Sequence, residues 1–284
     1  MIAFPNCKIN LGLRVIRKRS DGYHDLESVF YPLPFKDALE TIPIKGNGSP
    51  IVNFSASGLV IEGKKEENLC VKAFEILKKD FPELPSIQMH LYKAIFPGAG
   101  LGGGSADGSF VIKLLDRQFK LGLSAGQLLD YASQLGSDCP FFIINKPCLV
   151  RGKGELLEVI PLDLSAYKFI IIYPGFSIST AWAFEQVTAT LESSDTFKVA
   201  DISDTIRKPL TAWKEELKND FEGPVFNRYH ELKKIKEVLY SSGAIYASMS
   251  GSGSSVYGIF NNTITPSFSF PEKYFIKELA GQTE

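Results

Sequence analysis

Residues 97–109 read PGAGLGGGSADGS, thirteen positions of which six are glycine. Just upstream, IQMHLYK (87–93) alternates apolar Ile87, Met89 and Leu91 with other residues, the period of two of a strand with one buried face. Just downstream, Phe110, Val111, Leu114 and Leu115 recur at helical spacing. The glycine run is therefore predicted to be a strand-to-helix turn. Such a turn has a chemical use. Glycine lets a ligand approach the backbone closely, and the amides that open a helix converge where its dipole is positive, so the segment suits phosphate oxygens.

Other readings of the same run compete. A plain flexible loop seldom sits between a clear strand and a clear helix. A Walker A loop requires Lys and then Ser or Thr after its last glycine, whereas Gly104 is followed by Ser105 with no lysine. A G-x-G-x-x-G fingerprint does occur at Gly98, Gly100 and Gly103. Its acidic partner, about 20 residues on, should end a second strand. Asp116 falls instead within a helical pattern, which leaves the dinucleotide reading resting on a lone fingerprint.

Further out, NLCVKAFEILKK (68–79) is predicted to be a helix with Asn68 as its N-cap and Val71, Phe74 and Leu77 on one face. The N-terminus shows a short strand around KINLGLRVI (8–16), then a polar loop, RKRSDGYHDLES (17–28), with Asp21-Gly22 as its turn signal. SAGQLLDYASQLG (124–136) is a helix starting at Ser124 and stopping at Gly136, and GSDCPFFII then delivers Asp138 shortly before Pro140, a helix-start pattern. From about Cys148 the pattern shifts to short strands (CLVRG, LLEVI, KFIIIYP) and helices near TAWAFEQV and HELKKIKEVLYSSG. A last strand pair, AIYASMS and SVYGIF, flanks the loop GSGS (251–254), and the stretch 192–221 carries no readable motif. A boundary near Gly152 divides the chain into 1–152 and 153–284.

Composition bounds what such a chain does. At 284 residues it exceeds the size at which one core usually stops growing, and a cleft between two domains is the default ligand site. Hydrophobic residues at 44% and charged residues at 22% exclude a disordered or collagen-like chain. With 31 Lys and Arg against 32 Asp and Glu, no overall field draws it to nucleic acid or anionic lipid. Cys7, Cys70, Cys139 and Cys148 lack metal-ligand spacing and read as reduced and mostly buried. The N-terminus meets a charge at Lys8 before any long apolar run, and no stretch offers the ~18 apolar residues of a membrane span. The cytoplasm is the expected compartment.

Several side chains stand out as chemistry-bearing. Asp138 is a candidate proton acceptor, or else only a helix cap. Lys8, set among Cys7, Ile9, Leu11 and Gly12, needs a partner if buried, and Asn10 lies on the same side of that strand. The pair Tyr23-His24 suits a base, with an aromatic face to stack on and a heterocycle to hydrogen-bond.

With KINLGL, GLGGGSAD, LGSDCPFF and SMSGSGSSVYGIF in this order, the chain resembles the GHMP kinases, named for galactose, homoserine, mevalonate and phosphomevalonate kinases. The stretch CKINLGLRVIRKRSDGYHDLESVF is similar to the branch whose acceptor alcohol carries a cytidine diphosphate. Two positions depart from the family pattern: Phe96 stands where it has proline, and Ala106 where it has a second serine. The resemblance implies an α+β fold of two domains, a ribosomal protein S5 domain 2-like N-terminal domain holding ATP and a ferredoxin-like C-terminal domain, with catalysis between them. It makes Asp138 the catalytic aspartate and Lys8 its partner, with Asn10 in support.

The same resemblance assigns Pro97, Gly98, Ala99, Gly100, Leu101, Gly102, Gly103, Gly104 and Ser105 to the phosphates of ATP. Asn68 and Lys93 fall near the nucleoside. Cytosine is implied to lie between Tyr23 and Phe184, with His24 at its polar edge. Gly251 and Gly253 are expected to approach the acceptor's phosphates or the transferred group through backbone amides. Mg²⁺ is expected between the β- and γ-phosphates, with Ser105 a candidate ligand and no protein ligand set legible. Three functions stay open: a kinase for the cytidine-bearing alcohol, a GHMP kinase for another alcohol, and a silent nucleotide-binding protein. Tyr23, His24 and Phe184 separate the first two.

Overall fold

The computed structural model describes residues 1–44, 51–191 and 201–281. In chain order its elements begin β1 (Ile2–Ala3), β2 (Asn6–Lys18), β3 (His24–Lys36), β4 (Ala38–Pro43), β5 (Val52–Gly58), α1 (Leu69–Asp80), β6 (Ile87–Lys93), α2 (Gly103–Phe119), α3 (Ala125–Leu135) and α4 (Cys139–Ile144). They continue with β7 (Cys148–Arg151), β8 (Leu156–Val159), β9 (Tyr167–Tyr173), α5 (Thr180–Leu191), α6 (Ile202–Thr205), α7 (Trp213–Glu216), α8 (Glu222–Arg228), α9 (His230–Ser241), β10 (Tyr246–Met249), β11 (Val256–Asn261) and β12 (Phe275–Ala280). Contacts divide the chain into two units that are not contiguous in sequence. One holds 1–7, 35–97 and 102–146, and the other holds 8–34, 98–101 and 147–284.

In the first unit a four-stranded sheet runs in the order β1-β4-β6-β5, antiparallel except for the parallel pair β5 and β6. Strand β6 buries Ile87, Met89, Leu91 and Lys93 on one face, as its period of two predicts. Helix α1 buries Val71, Phe74 and Leu77, and α2 buries Val111, Leu114 and Leu115, all in one cluster with Ile87, Met89 and Leu91. Asn68 does cap α1, its side chain accepting from the Cys70 amide at 2.9 Å. Ser124 and Gln127 close a capping box on α3, satisfying two of the donors a helix start leaves open.

The second unit carries two sheets. One is β2-β3-β7-β8; the other, β10-β11-β9-β12, is antiparallel throughout and shares its core with α5, α8 and α9 through Ile172, Val187, Val225, Leu232 and Met249. Two expectations need correction here. The first strand is not short: β2 runs thirteen residues. The polar run 17–28 is mostly strand rather than loop, because its charges pair across the hairpin, Arg17 with Asp25 at 2.6 Å and Arg19 with Asp25 at 2.7 Å. The turn itself is confined to Arg19–Tyr23, with Gly22 at φ +84°. Of the motif-free stretch, 192–200 lies outside the described residues, and the remainder carries the short helices α6 and α7 and a 3-10 turn at Leu210–Ala212 between them.

All four cysteines are buried, and none is in a disulfide. Burial pushes the thiols of Cys139 and Cys148 up to about 11, and that of Cys70 well above its ordinary value.

A buried ionic cluster fixes where β6 ends. Lys93 Nζ lies 2.5 Å from Asp37 Oδ2 and 2.6 Å from Asp107 Oδ2, and Asp37 Oδ1 accepts from the amides of Ala94 and Ile95 at 2.6 and 2.8 Å. Burial alone would lower the Lys93 pKa, but the two carboxylates outweigh it and hold it raised. Burial lifts Asp107 well above the ordinary carboxylate value, Asp37 adding to the effect and Lys93 opposing it; its Oδ1 is buried with no hydrogen-bond partner.

The two aspartates therefore differ in what their loss does. Asp37→Ala strands the buried Ile95 amide and the partly buried Ala94 amide and halves the lysine's countercharge, so it is expected to lose about 3–5 kcal/mol in urea unfolding. Asp107→Asn is expected to lose far less. A raised folded-state pKa means that Asp107 favours the fold most below its ordinary value of 3.8 and progressively less as pH rises through the raised one. The Asn variant should thus gain on the wild type between pH 4 and neutrality, and equal losses from both variants at every pH would contradict this assignment.

Candidate active site

Between Lys93 and Gly103 the chain turns sharply, and Gly98, Gly100 and Gly102 take φ of +66°, +79° and +70°, a region that side-chain-bearing residues avoid. Three successive carbonyls of the turn, those of Ala99, Gly100 and Leu101, are engaged. The Ser255 amide donates to Ala99 at 3.1 Å, Ser250 Oγ to Gly100 at 2.7 Å, and the Lys8 amide to Leu101 at 2.9 Å. A loop whose carbonyl oxygens are tied to protein donors presents less negative charge to an anion. Helix α2 follows with no side-chain cap and no acidic residue in its first turn, so its opening amides remain donors at the positive end of a seventeen-residue helix.

The glycines of this turn do different work. A Cβ on Gly100 would lie 2.1 Å from the Ser250 carbonyl, and one on Gly103 would meet Ile95 at 2.8 Å and Lys93 Nζ at 3.0 Å. Gly103 therefore seats the helix against the end of β6. Gly104 faces open space, and there a Cβ would fill only the room a ligand needs. Lys93, expected near the nucleoside, is buried between its two carboxylates just under this turn. Asn68 spends its side chain on the α1 cap.

Lys8 is 4% exposed, with its ammonium 2.7 Å from Asn10 Oδ1 and 4.1 Å from the centre of the Phe30 ring. The second glycine loop meets the same group of residues. A Cβ on Gly251 would stand 3.4 Å from Asn10 Oδ1 and 3.5 Å from the Gly100 carbonyl, and Gly251 and Gly253 both have positive φ. Lys8, Asn10, residues 98–101 and this loop are thus brought together within the second unit. Asp138, in the first unit, occupies the N-cap position of α4, yet its carboxylate takes no capping hydrogen bond. Pro140 and the Cys139 amide, which donates to Gly136 at 3.1 Å, start that helix instead. The cap reading does not account for this aspartate.

Among the acceptor candidates, two side chains meet directly. Phe184 stacks on His24, with ring centroids 4.7 Å apart and planes 15° from parallel, while Phe221 meets it edge-on. Tyr23 is 61% exposed, with the Lys153 ammonium 4.9 Å from its ring centre. Burial, and secondarily Lys18, lowers the His24 pKa and keeps it neutral. Thr188 Oγ1 donates its single proton to the Phe184 carbonyl at 2.8 Å, so at 2.7 Å from His24 Nε2 it accepts. That fixes the Nε2–H tautomer and leaves Nδ1 as an acceptor.

Sequence reasoning missed Asp37, Ser250 and Ser255, which hold the turn from far along the chain and carry no local pattern, and it gave no role to Asp107 within the glycine motif itself. Among the described residues no group of three or more His, Cys, Asp or Glu is arranged to hold a metal ion. None of their helices is long and apolar enough to cross a membrane.

Comparison with known proteins agrees in kind. The profile of the GHMP kinases N terminal domain matches residues 68–146, and that of the GHMP kinases C terminal matches 202–266. The chain is 47% identical to the 4-diphosphocytidyl-2-C-methyl-D-erythritol kinase of Bacteroides thetaiotaomicron over 272 residues, 96% of this chain and 95% of that one. It is 46% identical to the enzyme of that name from Azobacteroides pseudotrichonymphae over 278 residues, 97% and 100% of the two chains. Among solved structures, a 4-(cytidine 5'-diphospho)-2C-methyl-D-erythritol kinase superposes with a TM-score of 0.76 at 29% identity, covering 91% of this chain and 90% of its own. The Methanococcus jannaschii mevalonate kinase shares the fold, with a TM-score of 0.68 at 12% identity over 100% and 98% of the chains.

Proposed function

The chain belongs to the GHMP kinases, and from that membership we propose that it transfers the γ-phosphoryl group of ATP to the 2-hydroxyl of 4-diphosphocytidyl-2-C-methyl-D-erythritol, a step of non-mevalonate isoprenoid biosynthesis. The observation that carries the transfer is the glycine turn, with the carbonyls of Ala99, Gly100 and Leu101 tied back and the amides of α2 left as donors. The acceptor's identity is supported by relatives that are 44–47% identical over most of the chain and act, by name, on that alcohol.

Phosphoryl transfer asks a protein mainly for positioning and for charge complementary to the moving group. In this reading residues 97–105 hold the phosphates, and Asp138 takes the proton of the reacting hydroxyl. Lys8, its ammonium fixed by Asn10, stabilises the charge that develops on the oxygen. Gly251 and Gly253 approach the transferred group through their amides. Mg²⁺ would supply neutralising charge on the phosphates; Ser105, in the first turn of α2, fits one ligand position, and a cation held mostly by phosphates needs few protein ligands. Asn68 and Lys93 act by setting α1 and the end of β6 beside the nucleoside. ATP belongs to an N-terminal domain taken as 1–152, followed by a C-terminal domain taken as 153–284, in keeping with profile matches on either side of Gly152. Near-zero net charge favours a small-molecule partner over nucleic acid, and four buried cysteines outside any disulfide favour the cytoplasm.

Cytosine takes the place of the His24 ring on Phe184 in this reading, with Tyr23 on its other face and His24 turned to its polar edge. Base stacking on an aromatic ring is worth about 1–3 kcal/mol, so Tyr23→Ala or Phe184→Ala is expected to raise the acceptor KM by about tenfold or more, with the ATP KM nearly constant. A coupled ADP-release assay with the cytidine alcohol, homoserine, mevalonate and galactose tests the whole assignment. A better rate on any of the three simpler alcohols would leave only the family.

A further inference from the structure

Asn10 is buried, and each of its polar groups has a partner. Its amide donates to Ser250 Oγ at 3.3 Å, and its carbonyl accepts from the Tyr257 hydroxyl at 2.7 Å. In the side chain, Nδ2 donates to Ser28 Oγ at 2.9 Å and Oδ1 accepts from Lys8 Nζ at 2.7 Å. The two ends of a carboxamide have almost the same shape, so packing alone does not decide which end faces the lysine. Ser28 does. Its hydroxyl has one proton, and that proton goes to the Gly12 carbonyl at 2.6 Å, an oxygen that only accepts. Toward Asn10 the hydroxyl therefore offers only a lone pair. The group facing it must be the NH₂, and the oxygen is left for the ammonium.

A flipped Asn10 would set NH₂ against the Lys8 ammonium and oxygen against an oxygen lone pair. Ser28 and Asn10 are both fully enclosed, so water does not repair either contact. The Gly12 carbonyl is itself placed by a φ of +66°, at a position where a Cβ would come within 2.6 Å of Leu217. We propose that Ser28 is a positioning residue for phosphoryl transfer: by committing its proton to Gly12 it sets the Asn10 amide with its oxygen toward Lys8. This rests on the reading above, in which Lys8 serves the transfer.

The test compares Ser28→Ala, which removes both bonds, with Ser28→Thr, which keeps the hydroxyl. Ser28→Ala is expected to lower kcat about 10- to 100-fold with both KM values within about twofold, and Ser28→Thr to recover most of that loss. A folded Ser28→Ala variant with wild-type kcat, or a folded Ser28→Thr variant as slow as the alanine one, would overturn the proposal. If Ser28→Ala does not fold, the nearly isosteric Ser28→Cys, a weak donor, takes its place with the same expected direction. Selective ¹⁵N labelling of asparagine gives a readout that needs no substrate: the Asn10 side-chain NH₂ exchanges slowly in the wild type and faster in Ser28→Ala, and equal exchange refutes the role of Ser28. A Lys8→Met variant with undiminished turnover would instead refute the transfer reading, whatever the amide resonance shows.

Discussion

Replacing Asp138 with asparagine is expected to lower turnover by about 10²- to 10⁴-fold while ATP affinity and thermal stability change little. The expectation joins two facts. Asp138 sits where a helix cap belongs, and it does not cap, because α4 starts on Pro140 and the bond from Cys139 to Gly136. Asparagine keeps the shape and takes away the ability to accept a proton fully. A variant that unfolds would show that the carboxylate has a structural duty after all, and one that turns over normally would move the base elsewhere. Steady-state kinetics beside a melting curve separates the three outcomes.

Gly100→Ala is expected to abolish measurable ATP binding. The added methyl would stand 2.1 Å from the Ser250 carbonyl and 3.0 Å from that of Gly253, in a backbone conformation that alanine resists. Both contacts are backbone, so no side chain can swing aside, and the two glycine loops would have to separate. Gly104→Ala is the informative control. Its methyl meets nothing within 4 Å, and alanine is the better helix former, so the fold should keep its stability. If phosphate approaches α2 there, affinity for ATP falls even so. Calorimetry with a non-hydrolysable analogue reads both variants, and unchanged affinity in each would remove the nucleotide from this turn.

Much of the first unit could be read directly from the chain, because its signals are local. The period of two in 87–93, the helical spacing around Val111 and Leu115, and the caps at Asn68 and Ser124 lie within a few residues of what they specify. The glycine turn was legible for the same reason. What stayed hidden is set by distant partners. The start of strand β3, residues 24–28, reads as loop because its charges suggest solvent, yet Arg17, Arg19 and Asp25 pair across a hairpin. Asp37 and Lys93 are 56 positions apart, and Asn10 and Ser250 are 240 apart. Strand β12, FIKELA, pairs with β9 along an edge and shows no clean alternation. The stack of His24 on Phe184 likewise joins residues 160 positions apart, and Thr188 bonds both of them.

The buried cysteines carry a practical consequence. Alkylating reagents attack the thiolate, and burial that holds Cys139 and Cys148 at about 11 and Cys70 well above its ordinary value keeps these thiols protonated at pH 8 as well as out of reach. Covalent inhibitors that seek a cysteine will therefore find Cys70, Cys139 and Cys148 silent in the folded protein. The same silence makes them reporters: Cys70 and Cys139 lie in the first unit and Cys148 in the second. Pulsed alkylation followed by mass spectrometry of the separate peptides would time the opening of each unit by itself, in the unmodified wild-type chain and without any introduced probe.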